Sequence, residues 1–154
     1  MGSIASPIKV LLIDPNKEDR QYCAERLTIS SPAYTVLETE TGAAGLAICQ
    51  SQRIDCVVLE LTLPDMFGLQ VLTRLIPRAF RPELPVILLS RRKLPAMRRL
   101  AITNGAQTYL LKSTLVGHEL SMAVERAIAA VAFQKARSTW HAATRTLILP
   151  VVNG

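Results

Sequence analysis

Four side chains able to carry charge or a reactive hydroxyl each close an apolar run of this chain. Asp14 follows Val10-Leu11-Leu12-Ile13, Glu60 follows Cys56-Val57-Val58-Leu59, Ser90 follows Val86-Ile87-Leu88-Leu89, and Lys112 follows Tyr109-Leu110-Leu111. An acid at the carboxyl end of a buried strand lies in the crevice where open parallel sheets bind ligands. Lys112 can pair with Glu60 there, an ion pair that neutralises the acidic corner. One strand-end acid carries little information. Four positions in order, each ending its own run, specify a fold.

The elements that must position these groups are legible as five alternations of strand-like and helix-like sequence. Ile8–Ile13 and Val86–Leu89 are continuous apolar runs, as expected for strands covered on both faces; Tyr34–Leu37 and Thr108–Leu111 are shorter and mixed, as expected nearer an edge. Between them the pattern predicts helices at about Asn16–Thr28, Gly42–Ser51, Phe67–Ile76 and Ala96–Asn104, closed by breakers such as Ser30-Ser31-Pro32, Pro77 and Asn104-Gly105. A fifth helix is expected from near Val116 to beyond Arg137, because neither glycine nor proline occurs from Glu119 to Arg145. The expectation is an α/β fold, a five-stranded parallel sheet doubly wound with helices and an extended C-terminal helix.

At 154 residues, 49% hydrophobic and 19% charged, the chain fits one folded domain rather than a disordered segment. No apolar stretch reaches the roughly 18 residues of a membrane span, and the N-terminus lacks a secretory pattern, so a cytoplasmic protein is expected. Met1-Gly2-Ser3-Ile4-Ala5-Ser6 matches a short myristoylation pattern that an engineered start would match equally, and it is set aside. Cys23, Cys49 and Cys56 are odd in number, lack CxxC spacing and lie in apolar patterns. They are expected to be small core residues in a reducing compartment.

Asp14, Glu60, Ser90 and Lys112 stand 46, 30 and 22 residues apart, and in that order and spacing they resemble the receiver domain of two-component response regulators. Leu63-Pro64-Asp65-Met66-Phe67-Gly68-Leu69 is also similar to that family's loop and helix start. The resemblance covers a receiver over residues 7–135, leaving 136–154 as a C-terminal helix extension and tail. It implies a flavodoxin-like, CheY-like (βα)5 fold, with Glu60 at the phospho-acceptor position and Asp14 in the acidic pocket. It further implies phosphate contacts from Ser90 and Lys112, and Tyr109 as the aromatic whose rotamer reports activation.

The chain departs from that pattern at two places. Phosphoryl transfer from a histidine kinase to an aspartate needs Mg²⁺ clamped by carboxylates in octahedral geometry at about 2.0–2.1 Å. The resemblance implies two adjacent acids after the first strand, and here the pair is Asp14-Pro15. Glu60 moves its carboxylate by roughly one C–C bond, and about 1 Å of misplacement can cost on the order of 10²-fold. Two readings stand: an atypical pseudo-receiver that binds proteins without a cofactor, with Glu60 paired to Lys112 as a built-in mimic, or a phosphorylatable receiver with weak Mg²⁺ binding. The cluster could equally be an inherited remnant with no switching role, and Tyr109 a half-buried tyrosine with a wet hydroxyl.

Two surfaces bear on partners. Net charge is +6, and Arg91, Arg92, Lys93, Arg98 and Arg99 place five cations within nine residues. A solvated face, an acidic protein partner and nucleic acid all fit such a cluster. A protein is preferred over nucleic acid, because aromatics are only 5% and no helix-turn-helix or RNA motif is present. The resemblance implies that this fourth-helix region is an output face. On the fifth helix, Leu120, Val124, Ala127 and Val131 make a core stripe, while Met122, Ala129, Phe133, Ala136 and Trp140 make a second one. Either a partner or second copy covers Phe133 and Trp140, or the apolar tail Leu147-Ile148-Leu149-Pro150-Val151-Val152 folds back on them.

The partners expected are a histidine kinase, a downstream signalling protein or a homodimer, with no membrane. An enzyme fits least: the related Mg²⁺-dependent aspartyl phosphatases need a second acid where this chain has Thr62, and the two histidines, His118 and His141, lie in the exposed final helix region.

Overall fold

The structure, a computed structural model, describes residues 6–147. In chain order the elements are β1 (Ile8–Ile13), α1 (Lys17–Ser30), β2 (Tyr34–Thr39), α2 (Gly42–Ser51), β3 (Cys56–Glu60), α3 (Gly68–Leu75), β4 (Val86–Ser90), α4 (Pro95–Thr103), β5 (Thr108–Leu111) and α5 (Glu119–Leu147). The strands pair in parallel in the order β2-β1-β3-β4-β5. The mixed runs are therefore the edges and the continuous apolar runs lie inside.

Alternation along the inner strands builds two cores. Leu11, Ile13, Val57, Leu59, Val86 and Leu88 face one way, and α2, α3 and α4 cover them through residues such as Leu46, Val71, Leu72 and Ala101. Val10, Leu12, Cys56, Val58, Ile87 and Leu89 face the other way, under Cys23 and Leu27 of α1 and Leu120, Val124 and Ala127 of α5. A strand buried on both faces has no polar side, which is why β1, β3 and β4 read as uninterrupted apolar runs. Each of these aliphatic side chains contributes roughly 1.5–3 kcal/mol by leaving water.

Local chemistry sets the helix ends. The Asn16 side-chain oxygen accepts from the Asp19 N–H at 2.9 Å and caps α1. Thr41 caps α2 through the Ala44 N–H at 3.2 Å, and both Asp65 oxygens accept from the Gly42 and Ala43 N–H groups at 2.9 Å. Pro95 opens α4, and Gly105 follows that helix at φ +100°, a conformation costly for any side chain. Thr41 and Asp65 thus tie the loop after β3 to the head of α2.

Boundaries differ modestly from the sequence expectation. β2 runs two residues further, to Thr39, because pairing with Leu12 and Ile13 continues there. The fifth helix begins at Glu119 rather than near Val116, since Lys112–Thr114 form one 3₁₀ turn and Gly117 adopts φ +57°. It then extends through Leu147. Thr146 and Leu147 of the apolar tail are helical; its remainder, residues 148–154, and the N-terminal myristoylation pattern over residues 1–5 lie outside the described residues. Among the described residues no helix is long and apolar enough to cross a membrane. The three thiols are free; Cys23 and Cys56 are buried and Cys49 half-buried. Burial pushes the Cys23 thiol up to about 12.

Candidate functional site

Register brings the strand-end groups together. Ile13 lies across from Leu59, Glu60 from Leu89, and Ser90 from Leu111, so Asp14, Glu60, Ser90 and Lys112 emerge side by side at the carboxyl edge of neighbouring strands. The chain order reverses between β1 and β3, and that switch point opens the crevice. Gly68 at the head of α3 sets its depth. A Cβ on Gly68 would lie 2.5 Å from the Glu60 carbonyl oxygen and 2.9 Å from the Leu61 Cα, so only glycine lets α3 start this close to the end of β3.

The Lys112 ammonium sits among three carboxylates. Its Nζ lies 2.6 Å from Asp14 Oδ2 and 2.9 Å from Asp19 Oδ2, and it contacts Glu60 Oε2. The lysine side chain is 10% exposed, and those of Asp14 and Glu60 are 7% and 9% exposed. The second oxygens of the buried acids are also engaged: Asp14 Oδ1 accepts from the Asn16 N–H at 2.8 Å, and Glu60 Oε1 from the Thr62 N–H at 3.1 Å. Burial pushes the lysine down, but the contacts with Asp14, Glu60 and Asp19 outweigh it and hold Lys112 above the ordinary lysine value.

A second cation braces the corner from behind. Arg20 is buried; its Nη1 donates to the Asp14 carbonyl at 2.6 Å, and its Nε and Nη2 pair with Glu38 and Glu40, each at 3.3 Å. On the open side Arg91 Nη2 lies 2.7 Å from the same Asp19 oxygen that meets Lys112. Ser90 is buried and its Oγ accepts from the Arg92 N–H at 3.1 Å, while Tyr109 donates its hydroxyl to the Arg92 carbonyl at 2.9 Å. The loop from β4 to α4 is therefore held to the corner at Asp19, at Ser90 and at Tyr109. A cleft of about 510 Å³ remains above it, lined among others by Asn16, Thr62, Ser90, Arg92 and Met97.

Sequence reasoning named the two strand-end acids but missed Asp19 and Arg20. Both sit in the first turn of α1, capped by Asn16 directly after β1, and an acid three residues past an N-cap placed there was the available signal. Tyr109 is buried with a bonded hydroxyl, not half-buried with a wet one. Arg91 belongs to the corner; Arg92, Lys93, Arg98 and Arg99 are exposed. Phe133 and Trp140 are 64% and 71% exposed and lie away from the site. α4 and α5 lie in opposite layers of the sheet, because the two cores place them on different faces.

In this arrangement the Asp14 and Glu60 oxygens face the Lys112 ammonium or a backbone N–H, and a divalent cation in contact with the same oxygens would repel that ammonium. Among the described residues no group of three or more His, Cys, Asp or Glu side chains has metal-binding geometry.

The response regulator receiver domain model matches residues 10–124. The chain is 33% identical over 108 residues to the probable transcriptional regulatory protein TcrX of Mycobacterium tuberculosis, covering 69% of this chain and 44% of that protein. It thus spans under half the length of the curated relatives it matches. A receiver domain protein from Clostridium thermocellum superposes with TM-score 0.72 at 26% identity, over 82% of this chain and 98% of that one. The Mn²⁺-bound form of the response regulator Rcp1 shares the fold at TM-score 0.66 and 23% identity, over 77% of this chain and 91% of that one.

Proposed function

The chain belongs to the response regulator receiver domain family, and from that premise we propose that it works in two-component signalling as an atypical receiver in which the Lys112 ammonium takes the place of a metal and its pair with Glu60 is a built-in mimic of the phosphorylated arrangement. The observation that carries this reading is the single ammonium shared by Asp14, Asp19 and Glu60. An ammonium of raised pKa keeps its charge throughout the physiological range, so the three carboxylates share a fixed cation without a cofactor. Ser90 and Tyr109 already engage the β4–α4 loop, which supports a receiver held in one state.

Such a receiver is a cytoplasmic, non-enzymatic binding module. Its exposed Arg92, Lys93, Arg98 and Arg99 suit an acidic protein surface, on a histidine kinase or a downstream signalling protein, since a fixed basic patch steers and orients an acidic partner. The second reading is a phosphorylation-competent receiver. Asp19 favours it, because its carboxylate enters the crevice where Pro15 offers none.

Titration of the purified chain with Mg²⁺ and with a small acyl phosphate separates the two. The expected outcome is no saturable Mg²⁺ binding at millimolar concentration and no adduct by mass spectrometry. A gain of one phosphoryl mass mapped to Glu60 would establish the second reading instead.

A further inference from the structure

Beyond Val131, α5 buries no side chain, yet it continues for 16 residues to Leu147. A free helix of that length is marginal in water unless a partner covers an apolar face. Such a face is present. Ala129, Phe133, Ala136, Trp140, Ala143 and Leu147 recur at steps of four, three, four, three and four, the 3.5-residue period of a two-helix seam. All six are exposed. At 100° per residue they point roughly opposite the stripe of Leu120, Val124, Ala127 and Val131 that packs on the sheet, so the seam is free of the chain's own core.

The occupant is written into the order of sizes along the seam. Every large residue, Phe133, Trp140 and Leu147, occupies one seam position of the heptad, and every alanine, 129, 136 and 143, occupies the other. In an antiparallel pair these two positions face each other across the seam. With the two-fold axis at Ser138, Phe133 meets the partner's Ala143, Trp140 the partner's Ala136 and Leu147 the partner's Ala129, so all six layers pair a large side chain with a methyl. A parallel pair would instead stack Trp140 on the partner's Trp140 and leave Ala136 against the partner's Ala136, alternating collisions with gaps. Layers of uniform thickness pack at interior density and the alternating ones do not.

We infer that the exposed seam of α5 binds a second copy of this chain as an antiparallel helix pair centred on Ser138. The area agrees with a reversible dimer. Two phenylalanines and two tryptophans at 150–250 Å² each supply roughly 600–1,000 Å², and Leu147 with the alanines brings the total near the lower limit of about 1,200 Å² for specific interfaces. Arg137 flanks the partner's Arg137 on one edge; its guanidinium lies 6.0 Å from the centre of its own Phe133 ring, directed along its own helix, and salt screens the repulsion.

Sedimentation velocity of the full chain at roughly 100 μM is the test, a concentration that populates a micromolar dimer. Wild type is expected to be dimeric, whereas Ala136→Trp, which fills the methyl layer opposite Trp140, and Trp140→Asp are each expected to be monomeric with an unchanged cooperative melt. Spin labels on Ser138→Cys and Arg145→Cys, in a Cys49→Ser background, read direction. Seven residues beyond the axis at 1.5 Å rise separate the two 145 labels by roughly 21 Å along the helices, which makes their distance on the order of 10 Å longer than that of the 138 pair. Equal distances would mean a parallel pair and overturn the register. A monomeric wild type, or a dimer that survives both substitutions, would overturn the seam itself.

Discussion

The acidic corner and the far end of α5 treat their unsatisfied groups in opposite ways. In the corner, Asp14, Asp19 and Glu60 meet Lys112, with Arg91 on Asp19 and Arg20 behind Asp14. The cost of removing these charges from water is offset inside one chain. Along α5 past Val131, Phe133, Trp140 and Leu147 are 64%, 71% and 85% exposed. The first region is complete by itself and the second is not.

The contrast breaks most visibly at Lys112. Lys112→Ala leaves three carboxylates at one crevice without their shared cation, and removing one partner from such a buried cluster costs about 3–5 kcal/mol. Urea denaturation should record that loss as a lower midpoint. The folded lysine value lies above its ordinary 10.5. Its contribution is therefore complete below 10.5 and lost as pH rises through the folded value. The gap between wild type and Lys112→Ala should accordingly narrow in the alkaline limb; a gap constant through that limb would show that the ammonium and the acids do not interact.

Gly68→Ala should come next in size. The added methyl meets the Glu60 carbonyl oxygen and Leu61 Cα, so α3 must retreat, at a cost of about 1–3 kcal/mol. Thermal melts measure it, and a neutral substitution would mean that α3 does not set the depth of the crevice. The smallest effect belongs to the other region. Trp140→Ala, measured at concentrations too low for association, should change the stability of the monomer by no more than about 0.5 kcal/mol. A loss as large as that of Lys112→Ala would place Trp140 in an intramolecular core and erase the difference between the two regions.

Much of this was legible in one dimension. Val10–Ile13, Cys56–Leu59 and Val86–Leu89 read as strands covered on both faces, because short runs without a polar position, bounded by breakers, have no side to show to water. Their terminal groups then had to emerge at one edge, which located Asp14, Glu60, Ser90 and Lys112. The seam of α5 was legible too, as a second apolar periodicity.

Beyond the Lys112–Glu60 pair, which the strand ends already implied, tertiary structure alone decided which partners these groups meet. Asp19 lies on a helix, and whether its side chain reaches a strand-end lysine 93 residues away depends on how α1 docks against the sheet, which no local pattern encodes. The same docking brings Arg20 under Asp14, and the packing of the β4–α4 loop turns Arg91 from a surface charge into a partner of Asp19. Sequence periodicity specifies which face of an element leaves water, since burial is read by each residue separately. The charge pairs of this corner join elements distant in sequence, so they exist only once the chain has folded.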